Sequence, residues 1–173
     1  MRIHFYFLLI FLLLKVCYDC HNFDLEIVRC LHKNGADLNA VNNEGFFPLY
    51  YGIIFLLFIF IQLKNSNLAT LFCNIDLLTY LIDSNDIDLN LKDKNGNTVL
   101  NKASEMGAIV LIELLLLRET KKCDINLKNN LGLDAVYLAC LNEHYDAMRY
   151  LISKGADINT QGVNDNTLLH HGI

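Results

Sequence analysis

The residues with the most explicit chemical spacing are Cys17-Tyr18-Asp19-Cys20-His21, which satisfy the Cys-x-x-Cys-His pattern of covalent haem attachment. In that chemistry two thiols add to vinyl groups and the imidazole ligates iron. The match is short, it abuts a helix that belongs to the repeats described below, and nothing else in the chain points to a haem protein. No cofactor is therefore expected; a redox or haem role for Cys17, Cys20 and His21 would show as a visible absorption band of the purified chain. Cys30 and His32 are spaced unlike paired zinc ligands, so no metal is expected either. Cys30 and Cys140 fall at helix-packing positions and read as reduced core thiols in a reducing compartment. The chain contains no glycine-rich phosphate loop, no Gly-x-Ser-x-Gly and no His-Glu-x-x-His, and its six histidines are scattered. Catalysis is not expected. With 14 basic against 19 acidic residues and a net charge of -5, there is no basic stripe to follow a phosphate backbone. Neither nucleic acid nor a small-molecule substrate is an expected ligand.

What the chain does write repeatedly is one phrase. Gly35-Ala36-Asp37-Leu38-Asn39, Asp86-Ile87-Asp88-Leu89-Asn90, Cys123-Asp124-Ile125-Asn126 and Gly155-Ala156-Asp157-Ile158-Asn159 are four versions of it. Asn126 and Asn159 are 33 positions apart and Asn90 and Asn126 are 36 apart, the length of a helix pair plus a turn. Gly35 and Gly155 stand where a second helix ends and the backbone turns left-handed, a conformation that costs glycine no Cβ clash. Asn85 is expected to take that place in the second unit. Pro48 suits the first turn of a helix, where its missing N–H is not needed. Leu111, Ile112, Leu114, Leu115 and Leu116 cover most of a helix circumference, as a helix flanked by stacked neighbours requires.

The best-written unit runs from Asp93-Lys94-Asn95-Gly96-Asn97-Thr98-Val99-Leu100 through Ala103 and Gly107 into Ile109–Leu116, and it resembles the ankyrin repeat. Asp93, Gly96, Thr98, Leu100 and Ala103 match the family pattern, while Val99 and Asn101 replace its Pro and His. Asp134–Ala139, Phe47-Pro48-Leu49-Tyr50 and Thr167-Leu168-Leu169-His170 open further units at the same offset. The resemblance covers roughly residues 22–52 and 73–173 and implies an all-α solenoid of stacked helix-turn-helix units with short β-turn fingers. In that family the histidine of the slot filled by His170 stiffens the turn by bonding backbone, so His170 is expected to be structural. The expected organisation is an apolar segment at 1–21 and a repeat array at 22–173 of about four units plus a truncated last one, with an apolar insertion at about 53–69.

Two apolar segments do not fit the repeat. Residues 3–14 follow Arg2 and read either as a degenerate capping helix or as a signal or anchor. An insertion at about 53–69 separates the helices of one unit, and three readings account for it. One is a membrane span through the uncharged 45–63, whose 19 residues approach the ~20 a bilayer needs. The second is an elongated first helix packed on the N-terminal apolar segment. The third is translated non-coding DNA in an AT-rich gene.

Function then rests on surface. The resemblance implies non-catalytic binding of a protein partner through turn tips and the concave helix face, with a cytoplasmic location expected. The alternative is a membrane-anchored or secreted protein, a fragment of a larger channel or effector, targeted by the apolar segments. Residues that the fold leaves free to specify a partner are expected at Lys92, Lys94, Asn95, Asn97, Glu105 and Met106. In the next unit they are Lys128, Asn130, Leu131, Leu133, Leu141 and Asn142, with the three leucines an apolar cluster unusual to leave wet. Asn39 and Asn159, with Leu31 and Leu151 eight positions upstream, are similar to asparagines that the oxygen-sensing asparaginyl hydroxylase modifies in ankyrin repeats. The competing expectation is that the recurring asparagines only tie turns by side-chain-to-backbone bonds.

Overall fold

The computed structural model describes residues 25–42, 45–50, 68–117, 123–162 and 166–171, which fall in two compact units, Met1–Asp88 and Leu89–Ile173. The first unit holds α1 (Leu25–Lys33), a helical stretch at 48–50 and α2 (Leu68–Asp83). The second holds α3 (Val99–Glu105), α4 (Ile109–Leu116), α5 (Ala135–Leu141), α6 (Tyr145–Ser153) and a 3-10 turn at Leu168–His171. Among the described residues the one strand-like feature is an isolated antiparallel bridge between Gln161 and Thr167. The 1–21 segment, with residues 3–14 and Cys17, Cys20 and His21, lies outside the described residues, as do 51–63 of the suggested span and 53–67 of the insertion. The last two residues of that insertion belong to α2, which starts at Leu68. No helix among the described residues is long and apolar enough to cross a membrane.

Three turn fingers are closed by the same bonds. Asn42, Asp93 and Asn129 donate their N–H to the carbonyl four residues on, at Phe46, Asn97 and Leu133, over 2.9, 2.9 and 2.8 Å. Their side-chain oxygens accept backbone N–H groups inside the loop: Asn42 from Phe46, Asp93 from Asn95 and Asn97, and Asn129 from Leu131 and Leu133. This is the local bonding for which Asp and Asn are favoured in turns. The third residue after each is Gly45, Gly96 or Gly132, at φ 80, 76 and 77°. Helix α3 then starts on Thr98, whose hydroxyl accepts from Asn101 N–H at 3.1 Å, and α5 on Asp134, whose carboxylate accepts from Tyr137 N–H at 3.0 Å. These caps satisfy orphan donors of the first turn.

Gly35 and Gly155 end α1 and α6 as expected, at φ 89 and 95°. Asn85 does not repeat this. Its turn closes instead through Ser84 N–H to Tyr80 and Leu81 carbonyls and Ile87 N–H to Ser84, with no left-handed residue. The one described non-glycine at positive φ is Glu143 (60°), which occupies after α5 the place that Gly107 (65°) holds after α3.

Stacking makes the core. Every residue from Ala135 to Cys140 is buried, because α5 is packed against α3, α6 and the 3-10 turn together. On α4 the buried face is narrower than the sequence suggests. Leu111, Ile112 and Leu115 are enclosed against α3 and α6, Leu114 and Leu116 are half-buried, and Val110 is exposed. Cys140 is a core thiol, and burial pushes its pKa up. Cys30 is not: it is exposed on α1, where Val28 is the buried residue. Two helical positions separate them by about 200°, which puts them on opposite faces.

Candidate functional site

The fingers and the closing phrases carry a ladder of bonds from each repeat to the next. Asn39 Oδ1 accepts from Asp88 N–H at 2.7 Å, Asn90 Oδ1 from Asp124 N–H at 2.8 Å, and Asn126 Oδ1 from Asp157 N–H at 3.0 Å. Asn39 Nδ2 also donates to the Asp86 carbonyl. The recurring asparagine is thus a tie between successive turns. Asn159, the fourth, is exposed.

Most of the nominated tip residues belong to the same ladder. Lys92 Nζ donates to the Lys128 carbonyl at 2.7 Å, and Lys128 Nζ to the Gln161 carbonyl at 3.2 Å. Asn130 reaches back with its N–H to the Asn95 carbonyl and its Nδ2 to the Lys94 carbonyl, each at 2.9 Å. Asn97 Oδ1 accepts from Asn129 Nδ2 at 2.8 Å. Gly96 faces Asn130 so closely that a Cβ there would overlap its side chain and backbone. The side-chain ends of Lys92, Asn97, Lys128 and Asn130 are thus spent on the ladder, whereas Lys94 and Asn95 give it only their carbonyls; Lys92, Lys94, Asn95, Lys128 and Asn130 remain exposed. Glu105 pairs with Lys102 at 2.8 Å, Met106 is half-buried at the end of α3, and Asn142 Nδ2 caps the Leu138 carbonyl at 2.8 Å.

The leucine cluster is broken up. Leu133 is buried, because its carbonyl and N–H close the finger and direct it into the core at the start of α5. Leu131 stays 65% exposed at the tip and Leu141 43% exposed at the last residue of α5. Six residues of α5, Ala135 to Cys140, lie between them, a rise of about 9 Å. They are two contacts, not one patch.

Several structural side chains escaped the sequence reading. Asn101 Nδ2 donates to the Leu127 carbonyl at 3.2 Å and Tyr137 Oη to the Asn166 carbonyl at 3.1 Å, so two different residues in one slot bond the following turn. The signal was present: that slot reads Tyr50, Asn101, Tyr137 and His170, always with a polar end. His170 Nδ1 lies 3.2 Å from Thr167 N and 2.9 Å from Thr167 Oγ1, the expected turn-stiffening contact. His32 bridges α1 to the following turn, with Nδ1 2.8 Å from Tyr80 Oη and Nε2 3.0 Å from Asp86 Oδ2. Arg29 sits 5.3 Å over the Tyr80 ring. Among the described residues no three His, Cys, Asp or Glu side chains converge as a metal site would need.

Asp134 is a buried carboxylate at the start of α5. Burial raises its pKa, and the Thr160 hydroxyl, the Tyr137 N–H and the Lys128 charge offset this only in part. It caps α5 by accepting the Tyr137 N–H at 3.0 Å.

Residues 66–172 match the family described as ankyrin repeats (3 copies). The chain is 37% identical over 149 residues to alpha-latroinsectotoxin-Lt1a of Latrodectus tredecimguttatus, covering 85% of this chain and 9% of the toxin. It is 30% identical over 128 residues to an ankyrin repeat protein of Rickettsia bellii, covering 74% of this chain and 60% of that one. It is 32% identical over 74 residues to the nuclear factor NF-kappa-B p105 subunit of Gallus gallus, covering 43% and 8%. The chain thus spans less than a tenth of the toxin and of p105. The repeated fingers, capped helix pairs and inter-repeat ladder agree with the match across most of the sequence, and the chain belongs to the ankyrin-repeat family.

Proposed function

We propose that this chain is a non-catalytic module that binds a protein partner through its turn tips and the exposed side of its first helices. Ankyrin repeats are generally protein-interaction modules and typically non-enzymatic. The observation that carries the reading is Leu131. It is 65% exposed on a finger whose backbone is held by Asn129, Gly132 and the bonds from Asn130 to the preceding finger. A large apolar side chain presented on a rigid support loses little entropy on binding, which is the property of a hot-spot anchor. Leu141 offers a second contact at the far end of α5. The ladder lysines and asparagines set the spacing of the fingers rather than contact the partner. The thiols of Cys30 and Cys140, neither in a disulfide, support a reducing cytoplasmic location.

Amine-reactive cross-linking with mass spectrometry in the source cell tests this. Lys94 and Lys128 flank the proposed contact, and cross-links from them to one partner should vanish in Leu131→Asp while the melting curve stays unchanged. Undiminished cross-links in that variant would reject the tip as the binding site.

A further inference from the structure

Three lysines stand on the two fingers of the second unit with no carboxylate paired to them. Residues 92–97 and 128–133 contain Lys92, Lys94 and Lys128 against a single acid, Asp93. All three lysines are exposed. Among the described residues the ion pairs of this unit join Lys102 to Glu105 and Arg149 to Asp146, and none involves a finger lysine. The neighbouring carboxylates are engaged with backbone instead. Asp93 and Asp134 are 7% and 1% exposed, the first accepting from Asn95 and Asn97 N–H and the second from Tyr137 N–H. Asp124 accepts from Asn126 N–H at 3.0 Å and Asp157 from Asn159 N–H at 2.8 Å.

Two of the ammoniums are also held in place. Lys92 Nζ is bonded to the Lys128 carbonyl and Lys128 Nζ to the Gln161 carbonyl. A carbonyl is neutral, so each bond fixes the position of a positive charge without cancelling it. The Lys94 side chain has no bond among the described residues, but its carbonyl accepts from Asn130 Nδ2 at 2.9 Å, which sets Lys94 beside the residue that precedes Leu131. A charge already fixed needs little ordering when its counter-ion arrives. Charges around an apolar centre decide which partner is admitted and how fast it arrives, more than how tightly it is held. The fingers thus select one sign of charge at the point where Leu131 offers the apolar contact.

We infer that the segment of the partner that seats on Leu131 is acidic, a carboxylate-rich stretch of protein with an apolar side chain at its centre. The inference rests on the tip being the binding site, as proposed above, and adds the charge of what binds there. A protein segment fits better than a membrane or a nucleic acid. Recognition of anionic lipid uses clusters of about four to eight Lys or Arg, more than these fingers supply, and the chain's net charge of -5 repels an extended polyanion.

Titration of the full chain with short labelled peptides tests it, each with a central leucine flanked by glutamates, glutamines or lysines. At about 0.01 M salt the glutamate peptide should bind roughly tenfold tighter than the glutamine peptide, the combined effect of three exposed charge pairs. The gap should close by about 1 M salt, where screening is nearly complete. Lys94→Glu, whose side chain the fold does not use, should keep the melting curve, weaken the glutamate peptide and strengthen the lysine peptide. Leu131→Ala should weaken the glutamate and glutamine peptides alike and preserve their ratio. No binding of the glutamate peptide, or equal affinity for the glutamate and glutamine peptides, overturns the inference; in the second case, loss of both in Leu131→Ala would keep the tip as a binding site without a preference for charge. A glutamate preference that ignores Leu131→Ala would instead remove the tip as the anchor and overturn the reading on which the inference rests. Binding to phosphatidylserine vesicles that Lys94→Glu abolishes would assign the lysines to a membrane and overturn it as well.

Discussion

Two successive repeats, the α3–α4 pair and the α5–α6 pair, reach the same geometry with different residues. Thr98 caps one first helix and Asp134 the other. Asn101 ties one to the following turn through an amide, and Tyr137 ties the other through a phenol. After the first helix, Gly107 turns left-handed at φ 65° and Glu143 at 60°. What the stack holds constant is where a donor, an acceptor or a left-handed turn must stand. The side chain supplying it varies, and the costs of the variants differ.

The largest expected effect tests the part the pairs share. Leu115 and Leu151, 36 positions apart and each 0% exposed, close the two second helices against the core. Either one changed to Ala should cost roughly 2–5 kcal/mol in a denaturant titration. A cost below ~1 kcal/mol for one alone would break the equivalence of the two repeats.

The turn after the first helix separates them. A Cβ at Gly107 would come within 2.6 Å of the His144 ring, so Gly107→Ala should cost more than the ~1–2 kcal/mol of a left-handed non-glycine. Glu143→Gly removes that strain at the matching place, and the added unfolded-chain entropy leaves a net gain of at most about 1 kcal/mol in thermal unfolding. Destabilisation by Glu143→Gly would mean that the side chain, not the backbone, matters there.

The caps differ in how they respond to pH. Thr98→Ala and Asp134→Ala should each cost about 1 kcal/mol. Because burial raises the Asp134 pKa above its ordinary 3.8, the folded state holds that proton more tightly than the unfolded state. Its contribution to stability is complete below the ordinary value and is lost as pH rises through the raised one. Stability measured across that window should fall with rising pH in the wild type, and Asp134→Asn should flatten the slope while keeping the cap. Thr98 does not titrate and adds no slope.

The smallest effect contrasts an inner rung of the ladder with the outer one. Asn126→Ala gives up its bond to Asp157 N–H and should cost about 1 kcal/mol. Asn159→Ala, whose exposed side chain has no partner among the described residues, should leave stability unchanged; equal losses would show that the asparagines act within their own turns.

The repeat was legible from the chain because its signals are local. The Asx residue and glycine of each finger, the Thr98 cap, Pro48 at a helix start and Gly35 and Gly155 at helix ends act over four or five residues, so their types reveal their positions. Asn85 misled because Asn permits a left-handed turn without requiring one, and the chain closed that turn another way. The surface was read less well. Lys92, Lys128 and Asn130 look like solvated tip residues, but each bonds a carbonyl 33 to 36 positions away, a distance over which a single sequence carries no pairing signal. Leu133 and Leu131 differ by two positions and by the whole depth of the core, since one follows the finger inward and the other stays on its outer edge.

By itself, then, the sequence determined the unit, its register and the residues that start and stop each helix, because hydrogen bonding and backbone sterics within a turn are settled by near neighbours. The tertiary structure alone decided which polar ends are spent on the ladder and which apolar side chains stay wet. That choice depends on what the next repeat presents across the gap: Asn126 meets the Asp157 N–H, while Asn159, of the same type in the same phrase, meets none among the described residues.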